Sequence, residues 1–182
     1  MAALFGLFFI FGTRSKFFYF LAAFALEKLS NSYLKLAIAH PRPYMINSNI
    51  IPVSCSKAFG TPSGHSSSSM MFAIIVFMDI FHSKSLPYAR TRSNYGWMSY
   101  IVTLILVAYW AMSIPFTRFI LGAHSLDQIL FGTSLGIWQG IIMHFVVRDN
   151  LIEHIEELFE KMNLKTRLNM QKINARKRSL RG

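Results

Sequence analysis

Apolar runs close to the roughly 20 residues that cross a bilayer as helix follow one another along this chain. They are separated by short breaks that hold most of its prolines and charges. A composition of 53% hydrophobic residues and a mean hydropathy of +0.36 are too apolar for an ordinary soluble domain of this length, so a membrane is the expected solvent. The first run, 2–11, is short and is cut by Gly12, Thr13 and Arg14. It reads as half a helix, a re-entrant piece or an interfacial anchor. It lacks a basic n-region and a small-residue cleavage site, so it is expected to be retained rather than removed as a signal peptide. Helices are expected at 16–39, 63–81 and 95–112, with Pro115 breaking a link at 113–122, and a last one is expected from His124. Gly132, Gly136 and Gly140 recur at four-residue spacing in that last helix, a pattern that lets helices approach closely in lipid. The expected fold is therefore all-α: an integral-membrane bundle of about five spanning or partly spanning helices over 1–148, with an amphipathic and basic tail at 149–182.

The net charge of +11 does not imply a nucleic-acid partner, because the basic residues lie at helix ends and in the tail rather than along one soluble face. Consecutive spans must alternate sides. Arg14, Lys16, Lys84, Arg90, Arg92, Arg148 and eight residues of the tail then share one side, 14 of the 19 Lys and Arg. Positive loops stay cytosolic, which predicts a cytosolic tail and places the opposite helix ends at the lumenal or external face. Cys55 is alone, so no intrachain disulfide forms.

Those opposite helix ends carry three polar clusters: Lys35, Arg42 and Pro43 in KLAIAHPRP, Pro62 to His65 in PSGH, and Arg118 with His124 in RFILGAH. A phosphoryl group in transfer spreads negative charge over three oxygens, so a site without a metal needs several fixed cations and amide donors. Lys35, Arg42 and Arg118 supply the cations. The start of the helix at Ser63, Gly64 and His65 supplies N–H groups, and Gly64 permits close backbone approach. Taken singly, Lys35 reads as a snorkelling lysine, Arg42 and Arg118 as interface anchors, and the two histidines as buried packing residues. It is their joint placement at one end of the bundle that points to a phosphate site. No cofactor is expected.

K-x6-R-P, P-S-G-H and R-x5-H in this order resemble the three signatures of the type 2 phosphatidic acid phosphatase superfamily, which includes lipid phosphate phosphatases, polyprenyl diphosphatases, glucose-6-phosphatase and vanadium haloperoxidases. The resemblance implies a metal-independent phosphoric ester hydrolase. By analogy His124 attacks phosphorus to form a phosphohistidine and His65 protonates the leaving oxygen, while Lys35, Arg42, Ser63, Gly64 and Arg118 bind phosphate. The family pattern places an aspartate four residues after the nucleophile. Here position 128 is Gln128 and the acid is Asp127, three residues on. Both lie within helical reach of His124. Asp127 is taken as the ring's partner, with Gln128 the alternative. Lipid phosphates and membrane lipids are the expected partners. A sugar phosphate is a second substrate class, suggested by Gln128, and a non-catalytic membrane-complex subunit a third reading, in which partner chains rather than a homo-oligomer complete the assembly.

Overall fold

The computed structural model describes residues 14–51, 56–82, 95–148 and most positions of 150–170. The first apolar run, Cys55, residues 83–94 with Lys84, Arg90 and Arg92, and the end of the tail lie outside them. Among the described residues the regular structure is helical throughout. The elements are α1 (Arg14–Ile38), a single turn α2 (Pro43–Ile46), α3 (Gly64–His82), α4 (Tyr95–Ile120) and α5 (Leu126–Ile142), which continues as a π-helical segment, Met143–Arg148. Among the described residues three stretches are long and apolar enough to cross a membrane: Gly64–Phe81, Ile101–Ile120 and Leu126–Arg148. The protein is an integral-membrane helical bundle.

Two compact units divide the chain, 21–146 and the pair of segments 1–20 and 147–182. In the second, Phe18 packs on Phe159 with ring centroids 5.9 Å apart, and the described residues of 150–170 are helical. All three polar clusters belong to 21–146.

That unit is built on α3, which packs against α5 and α4. Near its start four consecutive hydroxyl residues, Ser66, Ser67, Ser68 and Ser69, circle the helix and are each at most 1% exposed. The three glycines of α5 run along the stripe of α3 that holds Ser63, Ser67, Met71 and Ile74. A β-carbon on Gly136 would collide with the Ser67 carbonyl oxygen, and one on Gly132 would come within 2.5 Å of that of Ser63. The spacing thus serves backbone-to-backbone contact between α3 and α5, where van der Waals packing must hold helices together because lipid is as apolar as their side chains.

Pro115 does not end the fourth helix. The structure carries α4 through it to Ile120. Proline removes the hydrogen bond to the carbonyl four residues earlier, here Ala111, and Ser69 Oγ of α3 donates to that oxygen at 3.4 Å. A neighbouring hydroxyl satisfies the freed carbonyl, as a helix in lipid requires.

The outward faces stay apolar. Ile105, Leu106, Tyr109 and Phe116 on α4 are all more than 60% exposed, which suits a helix whose solvent is acyl chain rather than water.

Candidate active site

The site lies where α1 and α4 end and α3 and α5 begin. At the end of α4, Gly122 adopts φ +62, and the amides of Ala123 and His124 both donate to the Arg118 carbonyl oxygen, at 3.2 and 3.3 Å. A left-handed residue closing a helix in this way is a common C-terminal cap. It turns the chain within four residues and sets His124, 3% exposed, beneath the last turn that carries Arg118.

His124 is held on both nitrogens. Its Nε2 lies 3.4 Å from Arg42 Nη1, and its Nδ1 lies 3.1 Å from Gln128 Oε1. The Gln128 amide has one sensible orientation, because its NH2 faces the Pro41 carbonyl oxygen at 2.7 Å while its oxygen accepts from the Ser125 amide at 3.4 Å. A carbonyl only accepts and an amide N–H only donates. Gln128 Oε1 must therefore accept from the ring, so Nδ1 carries the proton and Nε2 keeps its lone pair, facing Arg42. Burial above all, and then the Arg42 guanidinium, push the His124 pKa down from 6.5 to about 4, with smaller contributions from Lys35 and His65 and a partial counterweight from the bond to Gln128. The imidazole is neutral and nucleophilic at physiological pH.

Arg42 is 7% exposed. It is anchored by Nε donating to the Ala58 carbonyl oxygen at 2.8 Å and Nη1 to that of Ala123 at 3.3 Å. Lys35, in the last turn of α1, donates to the Phe59 carbonyl oxygen at 3.2 Å. The two cations of the first cluster thus draw the 56–60 loop across the site. Gly60 lies directly over the Gln128 amide, whose atoms a β-carbon there would overlap. Arg118 Nε is buried and has no hydrogen-bond partner among the described residues. The charges of Arg118, Lys28, Lys35 and Arg42 all fall on His65, in the first turn of α3.

Two sequence expectations change. Asp127 is not on the His124 ring: its side chain is 64% exposed and its carboxylate lies 3.6 Å from His40 Nδ1. Position 127 points outward from the start of α5, whereas position 128 falls on its buried face. Gln128 can also do what a carboxylate cannot, donating to Pro41 and so tying the first cluster to the third. Ser63, expected to offer its amide to phosphate, donates it to the Gln128 backbone oxygen at 3.1 Å, and its hydroxyl pairs with that of Ser66 at 2.9 Å. The N–H groups of Gly64 and His65 remain in the first turn, where helix geometry leaves them without a partner in their own helix.

His40 was not singled out from the sequence. Its Nδ1 lies 3.1 Å from Thr61 Oγ1 and 3.3 Å from Gln128 Nε2, joining all three clusters. Its position immediately before Pro41 and Arg42 was the available signal.

Gln128 is a positioning residue. Gln128→Leu is expected to lower kcat by about 10²-fold or more, the scale seen when a catalytic histidine loses its tautomer-fixing partner. Gln128→Glu keeps an acceptor for the ring but adds a charge, so it should raise the His124 pKa and move the acidic fall in rate to higher pH. Nitrogen chemical shifts of the His124 ring read the tautomer directly, and an unchanged Nδ1–H signature in Gln128→Leu would remove this role.

The pattern of the PAP2 superfamily matches residues 2–152. Among characterised proteins, the chain is similar to a dolichyldiphosphatase of Saccharomyces cerevisiae, 25% identical over 123 residues that make up 67% of this chain and 48% of the relative. The chain thus spans about half the length of the curated relative it matches. Among solved structures it resembles a transmembrane PAP2-type phosphatidylglycerolphosphate phosphatase from Bacillus subtilis, with a TM-score of 0.56 and 26% identity over 76% of this chain and 61% of that one.

Proposed function

This chain belongs to the PAP2 superfamily, and on that premise we propose that it is a membrane phosphatase that hydrolyses a lipid phosphomonoester or diphosphate through a phosphohistidine at His124, without a metal. The observation that carries the reading is the His124 ring itself. It is buried and held neutral, and its unprotonated Nε2 faces an arginine fixed by two backbone carbonyls. A neutral imidazole with its lone pair directed at a fixed cation is poised to attack an anion drawn to that cation.

In this mechanism Arg42, Arg118 and Lys35 take the non-bridging oxygens, together with the amides of Gly64 and His65 at the start of α3. His124 Nε2 bonds to phosphorus as the bond to the leaving oxygen breaks, and His65 gives that oxygen its proton. His65 then takes a proton from water, whose oxygen displaces the phosphoryl group from the ring and releases orthophosphate. Gln128 holds the ring throughout. Three cations supply the charge stabilisation that a metal would otherwise provide.

A lipid substrate is supported by the names of both relatives and by the apolar outer surface of the helices that carry the site. The excess of Lys and Arg at the other helix ends supports a lumenal or external site with the tail in the cytosol. The test is phosphate release by detergent-purified protein, in EDTA, from phosphatidate, farnesyl diphosphate and a sugar phosphate. Release from one or both lipids, unaffected by EDTA, is expected. Preference for the sugar phosphate would move the substrate class, and no release from any of them would favour a non-catalytic subunit.

A further inference from the structure

A second charged group lies in the body of the bundle, about two helical turns along α1 from Lys35 and on nearly the same side of that helix. Glu27 has no exposed side-chain surface, whereas that of Lys28 is 49% exposed. Neighbouring helical residues do not share a face, yet Lys28 Nζ reaches back to within 3.3 Å of Glu27 Oε2. It also donates to Ser68 Oγ at 3.0 Å and lies 5.0 Å from the centre of the Phe24 ring. Asn31 Nδ2 donates to the other carboxylate oxygen of Glu27. A buried carboxylate in a membrane helix is costly, and its usual justification is functional. Here it fixes the position of an ammonium group that stays half open.

The direction of that ammonium is informative. Ser68, which accepts from Lys28, itself donates to the Gly64 carbonyl oxygen at 2.7 Å. Two hydrogen bonds in series therefore hold Lys28 Nζ beneath the first turn of α3, and its charge reaches His65. Arg42 lies against the nucleophile. Through Ser68, the half-open Lys28 ammonium sits one helical turn along α3 from the Gly64 and His65 amides, within reach of a group attached to a phosphoryl held by those amides.

We propose that Lys28, fixed by Glu27 and Ser68, binds the second phosphate of a lipid diphosphate and so determines preference for diphosphates over phosphomonoesters. This rests on the phosphatase reading above. When His124 Nε2 bonds to the terminal phosphorus, the bond from that phosphorus to the bridging oxygen breaks and its electron pair stays on the oxygen. The departing lipid monophosphate thereby gains a negative charge, and Lys28 meets it. A monoester leaves as an alcohol, carries no second phosphate, and depends on His65 for its proton instead.

The test compares kcat/KM for farnesyl diphosphate and for phosphatidate in mixed micelles. Lys28→Met is expected to lower the first by about 10- to 100-fold more than the second, the effect of one charge-assisted contact. Lys28→Arg should restore most of the loss. Since Lys28→Met leaves a buried carboxylate uncompensated, the double variant Glu27→Gln/Lys28→Met is measured beside it and should show the same selectivity. Equal losses on both substrates, or loss on neither, would overturn the assignment of Lys28 alone. If the wild-type protein turns over neither substrate, the phosphatase reading falls and this inference falls with it.

Discussion

His124→Ala is expected to lower phosphate release by about 10⁴-fold or more, the scale on which loss of a covalent nucleophile shows in a hydrolase. The bundle should remain intact, because His124 sits in the α4–α5 link rather than in the glycine-lined contact between α3 and α5. Its backbone amide bond to the Arg118 carbonyl oxygen survives the substitution. What disappears is a lone pair. A substrate labelled on its terminal phosphate should leave label on the wild-type chain after rapid quenching and none on the variant. Gel-filtration elution and thermal melting in the same detergent check the fold. If the variant releases phosphate at more than about a tenth of the wild-type rate, water rather than His124 attacks phosphorus and no phosphohistidine forms.

The architecture was legible in the sequence because membrane helices announce themselves by length and hydropathy, and the site because three short clusters fall at helix ends that alternation places on one side. The departures share a different cause: each depends on a partner distant in sequence. Pro115 was read as a breaker, and on its own it would be. In the continuous α4 the Ala111 carbonyl oxygen freed by the proline has Ser69 Oγ, on a different helix, 3.4 Å away. The choice between Asp127 and Gln128 turns on which position faces the interior, and that is decided by Pro41, 87 residues away from Gln128. Ser63 loses its amide to the Gln128 carbonyl through the tight approach of α3 and α5, an approach whose signal was visible in the glycine spacing although its consequence for Ser63 was not. Glu27 and Lys28 lie in none of the three clusters. Their link to the site runs through Ser68, 40 residues beyond Lys28.

The second large effect concerns Arg42, to which the proposed mechanism gives two separable functions. Its guanidinium has five N–H donors. One holds the Ala58 carbonyl oxygen, and Nη1 serves the Ala123 carbonyl and the His124 ring, which leaves donors of the fork for phosphate. Arg42→Gln removes the charge that faces the equatorial oxygens in the transition state, and kcat should fall by about 10³-fold, the lower end of what an arginine at a transferring phosphoryl group contributes. It also removes the second-largest influence holding His124 near 4. The His124 pKa should therefore rise part of the way toward 6.5, since burial, the largest influence, remains. A protonated imidazole has no lone pair, so the rate falls as pH drops through this pKa. Raising the pKa moves that fall to higher pH and leaves the alkaline side untouched. The pH profile of kcat/KM and an NMR titration of the His124 ring report the same shift by independent routes. Arg42→Lys should keep much of the pKa effect while losing the bidentate grip, so that pH profile and rate come apart. A variant whose rate falls while the His124 titration stays near 4 would show that Arg42 binds phosphate without tuning the nucleophile, and the coupling inferred from the 3.4 Å contact would be wrong.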